Sequence, residues 1–441
     1  MSFRQAKFNK TNNSKLIIVL KIMIVFLMII LIPLLTILGY KIINCFKIIA
    51  EEEKVLEAVE TRKLLEEQAR LEKERMRIEE DIKLDKEISE MSIEEKVGQM
   101  MIIPIPGKKL TNKSKAQLKR IRPGGVIMMG DNFSTYSGTL KLIKDIKKTA
   151  QIPMIVSTDQ EGGLVQRLQG ITDIKVSNIP SMYKIGRQKD TELAYEIGGI
   201  IAKQLRTLGI NLTYAPTLDI LSNPDNELIG DRAFSSQKDV VADLGISLAQ
   251  GIEENGVNTC VKHFPGHGDT IIDSHFHLPR IRKTETELNE LEFVPFKKAI
   301  ESGVKMFMVG HISLPTITKV DEPASLSKKI ITGLLKNKLG YKGLVITDAL
   351  NMGAILNEYN EEEVVVKAVY AGVDLLLLPQ NNDDMFDAFV KAVKNKKIPE
   401  SLVDKSVKKI LKYKKENIKE NYLEKSFLNK EEYDKILNEA R

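Results

Sequence analysis

Eight short apolar or β-branched runs, spaced by helix-length stretches, constrain the fold of this chain more than any other feature. They are Met100–Ile105, Gly125–Met129, Met154–Thr158, Asn211–Ala215, Asn258–Lys262, Met306–Val309, Leu344–Thr347 and Val373–Leu378. Strand-like runs alternating with amphipathic segments predict a parallel sheet, and eight of them predict closure into a single (β/α)8 TIM-type barrel. An open doubly wound sheet is the other arrangement, but no G-x-G-x-x-G phosphate turn supports it. Ser92 and Glu95 are placed as a capping box that opens the first helix of this body. Polar residues stand just past many strand ends: Asp159-Gln160-Glu161-Gly162-Gly163, Asp219, Lys262-His263, His311 and Asp348. In barrels that edge carries the active site, with residues converging from several strands.

The amino-terminal part is of another kind. Ile22 to Tyr40 is nineteen residues without a charge, and Leu16–Leu20 extends it if Lys21 snorkels. At 1.5 Å per residue such a helix just spans a bilayer core of about 30 Å. Pro33 is tolerable in a membrane helix. A cleaved signal peptide would have a shorter apolar region and a small-residue cleavage site. Ile42-Ile43-Asn44-Cys45 lacks the small residue expected before a lipidated cysteine. Basic residues precede the span, and Lys41 and Lys47 followed by Glu51–Glu53 come after it, so the positive-inside rule places the amino terminus in the cytoplasm.

Glu51 to Glu90 contains no Gly or Pro and is rich in Glu, Lys, Arg and Leu, which favours helix. Leu64, Leu71 and Ile78 recur every seven residues, but Thr61, Gln68 and Arg75 at the partner positions are polar. That pattern suits a solvated single helix better than a strong dimer seam. Forty helical residues would reach roughly 60 Å. The expected plan is therefore a cytoplasmic basic tail (1–15), a transmembrane signal anchor (16–40), a charged stalk (41–90), a catalytic barrel (91–425) and a helical tail (426–441). The net charge is +6, yet residues 1–50 alone carry seven Lys/Arg and no acid, leaving −1 for the remainder. No nucleic-acid partner is expected of so neutral a body. Two cysteines, Cys45 and Cys260, exclude a disulfide scaffold and a four-cysteine zinc site.

The chemistry gathers in one window. Four of the five histidines lie in Lys262-His263-Phe264-Pro265-Gly266-His267-Gly268-Asp269-Thr270-Ile271-Ile272-Asp273-Ser274-His275-Phe276-His277. Residue types alone leave three readings: a metal site, a hydrogen-bonded structural loop, or acid–base catalysis. Pro265 and the glycines prevent a helical His pair, which weighs against metal. Structural ties suit His267 and His277. Asp273 and His275, two apart in an extended segment, point the same way, so that the carboxylate can orient the imidazole.

This window, with Leu278-Pro279 beyond it, resembles the signature of the β-N-acetylhexosaminidase branch of glycoside hydrolase family 3. Asp159-Gln160-Glu161-Gly162-Gly163 with Gln166-Arg167, then Gly230-Asp231-Arg232-Ala233-Phe234, then Ile346-Thr347-Asp348-Ala349-Leu350, match further blocks in order. Leu164 stands where the family usually has Arg, and the second domain of many longer relatives is not expected. The resemblance implies a barrel hydrolase acting on non-reducing β-linked N-acetylglucosamine, with peptidoglycan-derived fragments as the expected source. It implies Asp348 as the nucleophile, His275 as general acid/base with Asp273 as its partner, and Asp159, Arg167, Arg232, Lys262 and His263 as sugar contacts. Asp219 and His311 receive no role. No metal and no organic cofactor is expected, the partners being a muropeptide-type carbohydrate and, through the anchor, membrane lipid. A β-glucosidase or β-xylosidase, a β-N-acetylglucosaminide phosphorylase and a non-catalytic wall-binding tether are the alternatives.

Overall fold

A computed structural model describes residues 3–419 and 422–440, with the backbone alone for residues 3–12. The side chains of Arg4, Lys7 and Lys10 in the expected cytoplasmic tail, and Arg441 in the expected helical tail, lie outside the described set. The chain divides into two compact units, Met1–Lys83 and Leu84–Arg441.

In the first unit the chain is helical, as part of the helix Phe3–Glu90, with Pro33 inside it. The helix is long and apolar enough to cross a membrane, a property that a signal sequence shares. Side chains from Leu16 to Ile43 are exposed along it, and Leu64, Leu71 and Ile78 are exposed as well.

The second unit opens with the last turns of that helix, where Leu84 and Ile88 are buried in the core. Ser92 and Glu95 then form the expected capping box of the helix Ile93–Gln99. The strands follow as β1 (Met101–Pro104), β2 (Gly125–Met128), β3 (Ile155–Thr158), β4 (Gln160–Gly162), β5 (Val165–Gln166), β6 (Leu212–Thr213), β7 (Asn258–Thr259), β8 (Val261–Phe264), β9 (Met306–Val309), β10 (Leu344–Ala349) and β11 (Leu375–Leu377). All eight expected runs contain strand. β4 and β5 form a separate antiparallel hairpin, and the other nine make one sheet in the order β7-β6-β3-β2-β1-β11-β10-β9-β8. Every pairing in that sheet is parallel.

The two ends of this sheet, β7 and β8, are halves of one chain passage interrupted at Cys260, so the sheet is nearly closed on itself. That interruption is why nine strands appear where eight were expected. Cys260 itself is fully buried. The strand interiors (Ile102, Val126, Val156, Val261, Phe307, Val345) are all inaccessible to solvent, as a sheet wrapped by helices requires. The segment expected as a helical tail contains the helix Glu431–Glu439 and packs on the body: Leu428, Tyr433 and Leu437 are buried, and Ser177 donates its backbone N–H to the Leu428 carbonyl at 3.0 Å.

Candidate active site

The strands end on a cavity of about 630 Å³, and all eight residues proposed from the sequence line it. They are Asp159, Arg167, Arg232, Lys262, His263, Asp273, His275 and Asp348. Five strands of the barrel sheet (β2, β8, β9, β10 and β11) and several connecting segments contribute to its lining, as expected of a barrel's carboxyl edge.

Asp348 lies within β10. Its Oδ1 accepts the Ala349 backbone N–H at 2.7 Å, which fixes the carboxylate in the cavity. Burial pushes its pKa up, but His263, His311, the Ala349 amide and Lys262 outweigh that and hold it below the ordinary value. The group is therefore an anion at neutral pH. His311 braces the strand end next to this carboxylate. It is buried, and its Nε2 donates to the Ala349 carbonyl at 3.0 Å, while Nδ1 lies 2.7 Å from Ser325 Oγ. A carbonyl only accepts, so Nε2 carries the proton and the Ser325 hydroxyl donates to Nδ1.

The same cavity is lined by the dyad. Asp273 Oδ1 accepts both the His275 backbone N–H and its Nδ1–H, each at 2.8 Å. This leaves Nε2 for other chemistry. Burial pushes the Asp273 pKa up, but the two bonds from His275 outweigh that and hold it below the ordinary value, so the carboxyl stays ionised beside the imidazole. His275 remains largely open to solvent, with 58% of its side chain accessible.

Glu161 anchors the polar floor. It is buried at 1%, within β4, and takes two bonds of 2.9 Å from Arg232 Nε and Nη2. Lys262 Nζ lies 2.5 Å from Glu161 and 2.8 Å from Asp159. Arg167 Nη2 sits 3.7 Å from the other Asp159 oxygen. Against the burial penalty, Asp159 and Glu161 hold Lys262 protonated. Arg167 Nε is shut off from solvent and has no partner among the described residues, so the site holds one orphaned donor beside Asp159.

Asp219 bolts the histidine window to the barrel. It accepts His263 Nδ1–H at 2.6 Å and the His267 backbone N–H at 2.6 Å. Burial raises its pKa, but His263 and His267 outweigh this and keep it ionised. A Cβ on Gly268 would lie 1.7 Å from the Ile220 carbonyl oxygen, so this stretch admits only glycine. His267 is buried and tied at both ring nitrogens, as a structural residue should be. The tie expected of His277 is not formed by its side chain, which is exposed and makes no hydrogen bond among the described residues. The chain bends back there through backbone N–H donation to the Asp273 carbonyl.

Sequence reasoning left two members out. Glu161 was part of a recognised block but received no role, although Lys262 and Arg232 as paired cations called for more negative charge than Asp159 supplies. Asp219 was noted at a strand end without a task, and its position just before the buried window was the available signal. Leu164, the departure from the family pattern, is 90% exposed at the lip of the cavity. Among the described residues there is no group of three or more His, Cys, Asp or Glu able to hold a metal ion.

Comparison with known proteins identifies the family. Residues 92–413 match the family model described as Glycosyl hydrolase family 3 N terminal domain. The chain is similar to the Beta-hexosaminidase A of Pseudoalteromonas piscicida, at 33% identity over 278 residues, 59% of this chain and 46% of that protein. It thus spans less than half of that relative's length. It is also similar to the Beta-hexosaminidase of Nitrosospira multiformis, at 32% identity over 287 residues, 64% of this chain and 80% of that protein. A solved glycoside hydrolase family 3 β-N-acetylglucosaminidase from Paenibacillus sp. superposes with a TM-score of 0.75 at 35% identity, covering 79% of this chain and 68% of that one. With the family model spanning most of the chain, and the strand-end site built from the blocks that carry the resemblance, this protein belongs to glycosyl hydrolase family 3.

Proposed function

We propose that the protein is a retaining exo-β-N-acetylglucosaminidase that removes non-reducing terminal β-linked N-acetylglucosamine, from peptidoglycan-derived fragments outside the membrane. One observation carries this reading: an ionised carboxylate, Asp348, and a carboxylate-held imidazole, His275, line the same cavity. The names of the relatives point to the same sugar.

In this reading Asp348 attacks the anomeric carbon and the glycosidic oxygen leaves. Because Nδ1–H is spent on Asp273, the proton given to the leaving group comes from His275 Nε2, and the acid form is the imidazolium that Asp273 stabilises. After transfer, Nε2 has a lone pair, and it takes a proton from the water that hydrolyses the glycosyl-enzyme. Two displacements return the β configuration. Asp159, Lys262 and Arg167 offer acceptors and donors to sugar hydroxyls, Arg167 with its unpartnered Nε. Arg232 and His263 serve chiefly by holding Glu161 and Asp219 in place, with their remaining faces open to the N-acetyl side of the sugar.

The division of labour is testable. His275→Ala should lower kcat/KM on substrates with poor leaving groups by about 10²–10⁴-fold while sparing activated aryl glycosides, which need little protonation. An even loss on both, or an α-configured first product by NMR, would remove this mechanism.

The apolar helix is read as an uncleaved anchor over residues 16–40 with the catalytic unit outside. The uncharged run and the basic flank before it support that orientation. Protease added to intact cells should then release the catalytic unit; full protection, under conditions where other surface proteins are cleaved, would reverse the topology.

A further inference from the structure

The loop that carries His275 displays apolar side chains to solvent, Ile271 at 74% and Phe276 at 66% exposure, so packing of its own side chains does not hold it. Two sets of hydrogen bonds do. Ser274 is buried between the exposed residues, and its Oγ lies 3.0 Å from His267 Nε2. Thr270 Oγ1 donates to the His267 carbonyl at 3.0 Å and lies 2.8 Å from His267 Nδ1. A hydroxyl has one proton, so Thr270 accepts from Nδ1–H, Nε2 is a bare acceptor, and Ser274 donates to it. Burial, with His263 nearby, lowers the His267 pKa to about 4, which keeps that acceptor intact at neutral pH. The charged and titratable groups around it, His263, Asp219 and Asp348, leave it so.

The second set comes from the other catalytic strand. β10 holds Asp348, and four residues beyond its end the short helix Gly353–Leu356 begins. The Gly353 N–H donates to the His275 carbonyl at 2.9 Å, and the Ala354 N–H to the Ser274 carbonyl at 3.2 Å. Asn357 Nδ2 donates to the Phe276 carbonyl at 2.9 Å. The first backbone donors of a helix have no partner within it, and here the loop's carbonyls supply them. A Cβ at position 353 would lie 2.6 Å from the Phe276 oxygen and 2.7 Å from the His275 oxygen. The backbone at Gly353 is not in the left-handed region, so closeness to the loop, and not torsion, requires glycine.

We propose that Gly353 and Ser274 are positioning residues that seat the proton donor His275 against the bond being cleaved, by docking its loop onto the segment that leaves the nucleophile's strand. The proposal rests on the assignment of His275 as proton donor. It makes the spacing of the two reacting groups a property of one backbone-to-backbone contact, which no side chain at position 353 can preserve.

Gly353→Ala and Ser274→Ala, each in the detergent-solubilised full chain, are compared across aryl N-acetyl-β-glucosaminides of graded leaving-group acidity, with His275→Ala measured alongside. Both variants should stay within about threefold of wild type on the best leaving groups and lose about 10–100-fold on the worst, a fraction of what general acid catalysis supplies. A purely structural defect would lower every substrate alike. An even loss, or no loss, in either variant overturns the dock. Should His275→Ala itself show an even loss, the donor assignment falls and takes the dock with it; a steep series for His275→Ala with flat ones for the two variants overturns the dock alone.

Discussion

Asp348→Asn should abolish turnover on every substrate, activated or not, with kcat falling on the order of 10⁴–10⁶-fold, the scale seen when a covalent nucleophile is removed. The side chain is nearly isosteric, and its oxygen can still accept the Ala349 N–H that fixes Asp348 at 2.7 Å. Structure is therefore retained and the loss belongs to the chemistry. Leaving-group acidity should not rescue it, because the missing step is bond formation at carbon and not proton delivery. Asp348→Ala adds a positive signal. Azide can enter the space left by the carboxylate and attack the anomeric carbon from that face, expelling the aryl alcohol and giving the α-glycosyl azide. Residual activity above about 1% in Asp348→Asn, measured against the expected loss, or a β-glycosyl azide from Asp348→Ala, would show that another group attacks.

The barrel strands are legible because a parallel strand is buried on both faces and must be apolar throughout; Ile102 and Val156 show it. The break at Cys260 has no such signal, since Asn258 to Phe264 is continuous in composition and the interruption comes from pairing with different neighbours, β6 on one side and β9 on the other. The β4–β5 hairpin is hidden for the opposite reason. Its residues, Gln160–Gly162 and Val165–Gln166, have no hydrophobic alternation, and the pairing follows from a turn with Gly162 and Gly163 both at positive φ.

The site shows the same division. Asp273 and His275 are local in sequence, and their bond could be anticipated from a spacing of two. Glu161 joins Arg232 about seventy residues and Lys262 about a hundred residues further along the chain, pairings that only the closed barrel produces. Charge counting was the one clue: two buried cations need more than one carboxylate. The role of Gly353 was beyond sequence reading altogether, because a glycine that makes room for another backbone looks like any other glycine before a helix.

Glu161→Gln should be the most destabilising of the substitutions in the site. Glu161 is buried and bound by two cations, Arg232 at 2.9 Å and Lys262 at 2.5 Å. Removing its charge leaves Arg232 and Lys262 in the interior with Asp159, bound to Lys262, and the charge of Asp219 to offset them. Breaking a buried ion pair by deleting one partner costs about 3–5 kcal/mol, mostly from the charge left behind. The acid limb of the stability curve tests the same group. Burial raises the Glu161 pKa, but Arg232 and Lys262 outweigh it and hold the folded-state value far below the reference of 4.5. A depressed carboxyl contributes stability that is fully present above the unfolded pKa and is lost as pH falls towards the folded one. Wild type should therefore weaken progressively below about pH 4.5, while Glu161→Gln, already weakened at pH 7, should lose less over that interval. Urea unfolding of the detergent-solubilised chain at pH 7 and at pH 3.5 reads both effects. A variant as stable as wild type at pH 7, or one with the same acid-dependent loss, would mean that Glu161 is not the counter-charge on which Lys262 and Arg232 depend, and that Asp159 and Asp219 suffice to hold them.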